Sequence, residues 1–185
     1  MDTTTSLPAF KYHPDPVSTG AVVRDEDAPC LSCNRIRGYV YDGPVYSEKF
    51  HHLTHCLCPW CIADGSAARR FGAEFADSGT MDGVTNEVRE EIAKRTPGFL
   101  SWQEGQWLTC CSDAAEFLGA AGAKELAKQL PEARRAVEQH LRDDFDLSGK
   151  ELKEFMAALS KEDQPTAYVF RCRHCREYLA YVDQT

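Results

Sequence analysis

The sequence predicts an α+β fold in three consecutive parts. A treble-clef-like, cysteine-bearing unit comes first, then a helical middle region, then a C-terminal β-hairpin whose turn is a cysteine knuckle. Three observations predict this. Six of the nine cysteines fall in Cys-x-x-Cys pairs, Cys30/Cys33, Cys58/Cys61 and Cys172/Cys175. Helical apolar patterns dominate residues 84–159. Apolar runs rich in Tyr, Val and Phe flank the last cysteine pair on both sides.

The bulk properties narrow the setting. A chain of 185 residues is long enough to bury a real core, as one domain or two small ones. It has no apolar run approaching the ~20 residues that a membrane span requires. Met1 to Ala9 has neither the basic start nor the apolar stretch of a secretory signal. The expected location is therefore the cytoplasm, where thiols stay reduced and paired cysteines serve metal ions rather than disulfides. The odd cysteine count agrees. A formal net charge of −8 repels phosphate on average, which weighs against nucleic acid as a partner. Acid concentrates in residues 74–91, where Glu74, Asp77, Asp82, Glu87, Glu90 and Glu91 face only Arg89. Base concentrates at Arg171, Arg173 and Arg176. Both clusters read first as solvated surface.

Residues 1–29 read as an extended N-terminal arm, because Pro14 and Pro16 disfavour helix in the residues before them. Residues 30–73 read as the treble-clef-like unit. Cys30 to Asn34 makes a tight turn, Gly38 to Tyr41 a strand, Asp42-Gly43-Pro44 a turn, and Val45-Tyr46 a short return strand. Cys58-Pro59-Trp60-Cys61 then opens a helix through Ala63, with Pro59 at a first helical position where its missing N–H costs nothing. Ser66 to Phe71 adds a helical turn after Gly65. Residues 74–185 form the rest, expected to pack with the first unit as one body. Val84 to Lys94 reads as a helix stopped by Thr96-Pro97-Gly98. Phe99, Leu100, Trp102, Trp107 and Leu108 supply large apolar groups and a short strand. Ser112-Asp113 reads as the cap of a helix from Ala114 to Leu118, ended by Gly119. Further helices are expected over 124–130, 132–142 and 151–159. Residues 167–171 and 177–182 make the closing hairpin.

Two cysteine constellations carry the chemistry. Cys30, Cys33, Cys58 and Cys61 make a four-sulfur set suited to zinc, with no position left for water and hence no catalytic role. A helix start favours thiolates through its free N–H groups and dipole. The rival is a redox-active Cys-Pro-Trp-Cys, which needs a buried strand before it; His51-His52-Leu53-Thr54-His55 is a poor one. Cys56 and His55 are alternative ligands, with Cys56 read as a small partly buried residue. The second constellation is Cys172 and Cys175 with Cys110 and Cys111. Neighbouring cysteines point apart, so one of them with a histidine, or a strained vicinal pair, completes the set. A second zinc ion is expected there. Were the set only Cys111, Cys172 and Cys175, a bound water would make a metal-dependent enzyme the alternative.

Other residues offer less. His13 reads as a packed or solvated loop histidine, Asp64-Gly65-Ser66 as a helix cap rather than a hydrolase elbow, and Trp102 and Trp107 as core. No phosphate loop or dinucleotide fingerprint occurs.

Several stretches resemble one bacterial family. They are Phe10 to Pro16 with Thr19-Gly20-Ala21, Cys30-x-x-Cys33 with Arg37-Gly38-Tyr39, Gly43-Pro44-x-Tyr46, and Leu57-Cys58-Pro59-Trp60-Cys61-Ile62-Ala63-Asp64-Gly65-Ser66-Ala67-Ala68. Arg95 to Phe99, Trp102-Gln103, Trp107, Asp113, Phe117-Leu118-Gly119 and the closing Cys172/Cys175 extend the match. The chain on this basis resembles the CbrC family, from about Pro8 to the C-terminus and most weakly in 74–94 and 122–165. The resemblance implies a link to tolerance of a nuclease colicin. Where that family tends to show His-Cys-Gly-Asp-x-Cys, Cys110 stands in the histidine's place and Ala115 in the last cysteine's. The resulting expectation is a non-enzymatic, zinc-stabilised protein that binds a basic protein partner, a toxin domain being the one the resemblance implies. The alternatives are the metal-dependent enzyme above and a nucleic-acid-binding finger protein using Arg171, Arg173 and Arg176.

Overall fold

A computed structural model describes residues 6–184. The fold is α+β, with small antiparallel sheets and helices around three apolar clusters. β1 (Val22–Arg24) pairs with β2 (Tyr39–Tyr41), Val22 opposite Tyr41. Two short helices follow, α1 (Pro59–Ala63) and α2 (Ser66–Phe71), then α3 (Asn86–Arg95). β3 (Thr109–Cys110) and β4 (Asp113–Ala114) form a minimal hairpin. β5 (Glu116–Ala121) leads into α4 (Ala123–Lys128), α5 (Arg134–Phe145) and α6 (Gly149–Ala158). β6 (Thr166–Arg171) and β7 (Tyr178–Asp183) close the chain.

The main sheet has the order β5-β6-β7. Its central strand β6 is covered on both faces, and the period of two along a strand decides which residue goes where. Ala167 and Val169 face the helices, against Leu126, Val137, Leu141 and Met156. Tyr168 and Phe170 face the other way, into an aromatic core with Tyr12, Phe99, Trp107, Phe117 and Tyr181. Phe99 stacks on Phe117 at 3.9 Å between ring centroids. No helix among the described residues is long and apolar enough to cross a membrane.

Three sequence expectations need correction. The partner of β2 is not Val45-Tyr46 but β1, upstream of the cysteine turn. Gly43-Pro44 sends the chain away from β2, the Tyr41 hydroxyl donates to the Pro44 carbonyl at 2.8 Å, and Tyr46 exchanges backbone hydrogen bonds with Glu74. Residues 114–118 hold the end of β4 and the start of β5, with Ala115 between them, and no helix. Their propensity is helical, but pairing with β6 places Phe117 in the aromatic core and Glu116 opposite Arg171, and these tertiary contacts override local preference. Gly119, at φ +136°, forms the bulge that the extra residue in β5 requires. Trp102 is half exposed rather than core, its indole N–H donating to Thr166 Oγ1 at 2.9 Å. Trp107 is buried.

The segment read as an extended arm turns on itself at Pro16–Gly20, where the Gly20 N–H donates to the Val17 carbonyl and the Val22 N–H to the Pro16 carbonyl, pairs through β1, and carries buried side chains. Phe10 joins the first apolar cluster and Tyr12 the aromatic one. The two ends of the molecule meet through α3. Arg95 donates to the Ala63 carbonyl at 3.1 Å, and the Gly98 N–H donates to the Tyr41 hydroxyl at 3.0 Å. Gly98 is required there, since a Cβ would lie 1.8 Å from the Phe75 carbonyl oxygen.

Candidate metal centres

The fold brings the eight cysteines of the two constellations into two groups of four. Within each, the four sulfurs lie within 4.8 Å of one another, so each group offers the ligands for one metal ion. The ninth cysteine, Cys56, lies outside both groups, and so does His55, which bridges Asp25 and Asp42 at 3.0 and 2.9 Å.

The first group is Cys30, Cys33, Cys58 and Cys61. Cys30 opens a knuckle in which its own N–H donates to the Arg35 carbonyl at 3.0 Å and the Asn34 N–H donates to the Cys30 carbonyl at 2.7 Å. Asn34, just after the second cysteine, takes the left-handed conformation at φ +54°, which asparagine tolerates better than most residues. Cys58 is the N-cap of α1, with Pro59 in the first turn. Bonding of Tyr41 N–H to the Leu57 carbonyl at 2.8 Å anchors the helix start on β2. Cys30, Cys58 and Cys61 are buried in the first apolar cluster with Leu57, Ile62 and Phe71. The Cys33 and Cys58 sulfurs are 3.9 Å apart.

That spacing is informative. A disulfide would need about 2.05 Å. Tetrahedral metal–sulfur bonds of about 2.3 Å place the sulfurs roughly 3.8 Å apart. The electrostatics favour an anion at one sulfur. Hydrogen bonding from Cys58, by its thiol and its N–H at 3.2 Å, pulls the Cys30 thiol down to about 4. Its proton is shared with Cys58, whose thiol that bond and burial hold well above the ordinary range. Bringing the remaining thiols to thiolates is work left for a bound cation.

The second group is Cys110, Cys111, Cys172 and Cys175. The vicinal pair joins it whole. Cys111 and Ser112 both take positive φ, +54° and +59°, forming the two-residue turn of the β3–β4 hairpin. The turn swings the Cys111 sulfur back to 3.7 Å from that of Cys110 instead of to the opposite face. Cys110 is in turn 3.7 Å from the Cys175 sulfur. The group thus has four sulfurs, one more than an open site on Cys111, Cys172 and Cys175 would have. The β6–β7 turn repeats the geometry of the first knuckle. Cys172 N–H donates to the Glu177 carbonyl at 2.8 Å, and Arg176, just after the second cysteine, is left-handed at φ +65°. Burial raises the Cys172 thiol, but backbone N–H groups of Cys175 and His174 outweigh it and bring it down to about 6. Burial and the neighbouring sulfurs hold Cys110 above its ordinary value.

Beside this group, two buried carboxylates gather the local cations, a feature sequence reasoning missed. Asp113 accepts hydrogen bonds from Tyr12 at 2.6 Å, His174 at 2.9 Å and Arg173 at 3.0 Å. Glu116 accepts from Arg171 at 2.6 Å and pairs with Arg176 at 3.3 Å. The three arginines considered for nucleic acid are therefore held by internal carboxylates. Burial raises the Asp113 carboxyl, yet the Tyr12 and His174 hydrogen bonds and the Lys11 charge hold it below the usual carboxylate range. Asp113→Asn keeps the size but removes the charge that Tyr12, Arg173 and His174 share. It is expected to cost about 1–3 kcal/mol. A urea midpoint unchanged from wild type would refute that role.

A family described as "Uncharacterised protein family (UPF0167)" matches residues 7–184. The chain belongs to UPF0167. The UPF0167 protein Mb2317 of Mycobacterium bovis is 48% identical over 179 residues, covering 96% of this chain and 93% of that protein. The UPF0167 protein MT2352 of Mycobacterium tuberculosis matches to the same extent. The UPF0167 protein PA1536 of Pseudomonas aeruginosa is 40% identical over 174 residues, covering 91% and 92%. No solved structure matches. These findings correct the resemblance to the CbrC family: the family that matches nearly the whole chain is UPF0167, and these relatives carry that name. The implied tolerance of a nuclease colicin falls with it. The stretches that suggested the resemblance include those that build the first four-cysteine group and its buried surroundings in this UPF0167 chain.

Proposed function

We propose that the chain is a non-catalytic scaffold in which each four-cysteine group holds a structural zinc ion, and that it works by binding a basic protein partner. The observation that carries the reading is the closure of both groups by sulfur, at spacings near 3.8 Å. A metal with four thiolates has no position for a substrate or an activating water. In this reading residues 30–63 are treble-clef-like in their order of knuckle, strand and helix start, and residues 172–175 form a zinc knuckle. The reducing cytoplasm suits such a protein.

Charge supports the partner class. Glu74, Asp82, Glu87 and Glu90 are exposed, and Glu74, Glu87, Glu90 and Glu91 line a cleft of about 840 Å³ between α2 and α3. Two of the three cations there are already committed, Lys94 to Glu90 and Arg95 to Glu91. The net acidity steers a cationic surface towards this face. Affinity capture from the native lysate should retain a protein at low ionic strength and lose it at high. A combined Glu74→Gln, Asp82→Asn, Glu87→Gln variant should lose it at both. Capture of no salt-sensitive protein, or capture indifferent to the triple variant, would overturn the partner reading.

A further inference from the structure

The two cysteine groups differ in exposure, and this difference assigns them different chemistry. In the first group Cys30, Cys58 and Cys61 are each no more than 3% exposed and Cys33 is partly exposed, so no sulfur is fully open. In the second group only Cys172 is buried; Cys110 is partly exposed, and Cys111 and Cys175 are exposed. A soft electrophile in solvent meets two exposed sulfurs in the second group and none in the first, where Cys33 alone is partly open.

We infer that the second group is an oxidative modification site for hydroperoxides, with Cys175 as the attacked sulfur and Cys110 as its resolving partner. The inference rests on the proposed reading in that an ion is held there beforehand. The Cys175 thiolate attacks one oxygen of the hydroperoxide. A sulfur–oxygen bond forms, the oxygen–oxygen bond breaks, and the leaving oxygen takes a proton from water. The Cys110 thiolate, 3.7 Å away, then attacks the Cys175 sulfur and expels hydroxide, which is protonated to water. Two thiolates lose two electrons, the hydroperoxide gains them, and a disulfide results. Cys111 and Cys172 are then too few to retain a metal ion.

Cys110 is the sulfur 3.7 Å from Cys175, and geometry disfavours the vicinal alternative. Cys110 and Cys111 are also 3.7 Å apart at sulfur. Their Cα atoms, however, are consecutive and so about 3.8 Å apart across a trans peptide. A relaxed disulfide needs about 4.4 Å or more, so the vicinal pair would have to distort its peptide. Cys110 and Cys175 lie on different elements, the β3–β4 hairpin and the β6–β7 turn, and are free of that restriction. Their bond would staple the β3–β4 hairpin to the β6–β7 turn at one end of the main sheet.

The test uses the full chain, reduced and loaded with zinc. Elemental analysis before treatment reports on the metal reading alone. Hydrogen peroxide is then added, released zinc is followed with a coloured chelator, and disulfides are located by peptide mass mapping. The expected result is release of one ion per chain, at least ~10-fold faster than any second, with a Cys110–Cys175 disulfide and intact Cys30, Cys33, Cys58 and Cys61. Reduction and added zinc should restore the starting state. Cys110→Ser should instead accumulate sulfenic acid on Cys175, trapped by dimedone. Mapping decides the matter even if the starting protein lacks metal. Simultaneous loss of both ions, a disulfide elsewhere, or no oxidation would overturn the inference.

Discussion

Cys58→Ser is expected to unfold the first unit and leave the chain with one metal ion. The elements around that site are too short to stand alone. β1 and β2 have three residues each, α1 five and α2 six. Isolated helices need roughly 12–15 residues to persist, and a two-stranded ribbon is marginal by itself. What fixes these pieces is the meeting of two loops at four sulfurs, with Cys58 also capping α1 and packing against Leu57 and Ile62. Structural zinc contributes about 10–16 kcal/mol in small finger peptides. Even a fraction of that exceeds what a domain of ~5–15 kcal/mol total stability can lose. Hydrogen exchange should show protection lost across residues 22–71, with zinc content falling by one. Cys172→Ser offers the contrast. Its site lies at the tip of a hairpin whose strands are packed on both faces, so the second ion should leave while the β5-β6-β7 sheet keeps its protection. Wild-type protection in Cys58→Ser would refute a structural role for the first site.

The second large effect comes from His13 and concerns acid. The ring is buried, with Nδ1 2.7 Å from the Pro97 carbonyl and Nε2 2.7 Å from Thr19 Oγ1. Pro97 can only accept, so Nδ1 carries the proton; the single proton of the Thr19 hydroxyl, which also lies 3.2 Å from the Pro16 carbonyl, turns to Nε2 in the neutral form. Phe117 closes one side, edge-on at 5.1 Å. Burial lowers the imidazole to about 4, against smaller opposing effects of the Pro97 carbonyl and the Asp15 charge. The unfolded chain then binds a proton more readily than the folded one. The stabilisation is complete above pH 6.5, the ordinary histidine value, and is lost as pH falls from there to about 4. A shift of that size corresponds to about 3 kcal/mol, carried by one proton per chain. His13→Asn preserves a donor to Pro97 without a titrating ring. Its stability relative to wild type, from urea unfolding at intervals between pH 7 and 4, should improve by about 3 kcal/mol as the pH falls. Protonation of the cysteines contributes to both proteins and drops out of that difference. A constant difference would show that His13 does not titrate on unfolding.

Much of this was legible in the sequence, for identifiable reasons. Cys-x-x-Cys turns, proline at a helix start and helical apolar spacing are local signals, and they pointed to the cysteines that the fold gathers into two groups and to α3, α4, α5 and α6 within a few residues. The losses share one cause, pairing between distant segments. Nothing local in Val22-Val23-Arg24 names Tyr39–Tyr41 as its partner. Ala114 to Leu118 is helical by propensity, yet Ala114 pairs with β3 and the strand from Glu116 forms because β6 lies beside it. The Asp113 and Glu116 hubs draw arginines from about 60 residues away and Lys11 and Tyr12 from the N-terminal segment, which no spacing rule would join. Cys111 is the instructive intermediate. Its place in the second group depended on a left-handed turn at Cys111-Ser112, and neither residue type advertises one.

The most direct measurement is the metal content of protein purified without a metal-affinity step, by elemental analysis alongside native mass. Two zinc ions per chain is the predicted result, with the mass of the bare chain recovered on acid denaturation. Reduced, folded protein carrying no metal, or iron in place of zinc, would contradict the reading of two structural zinc sites.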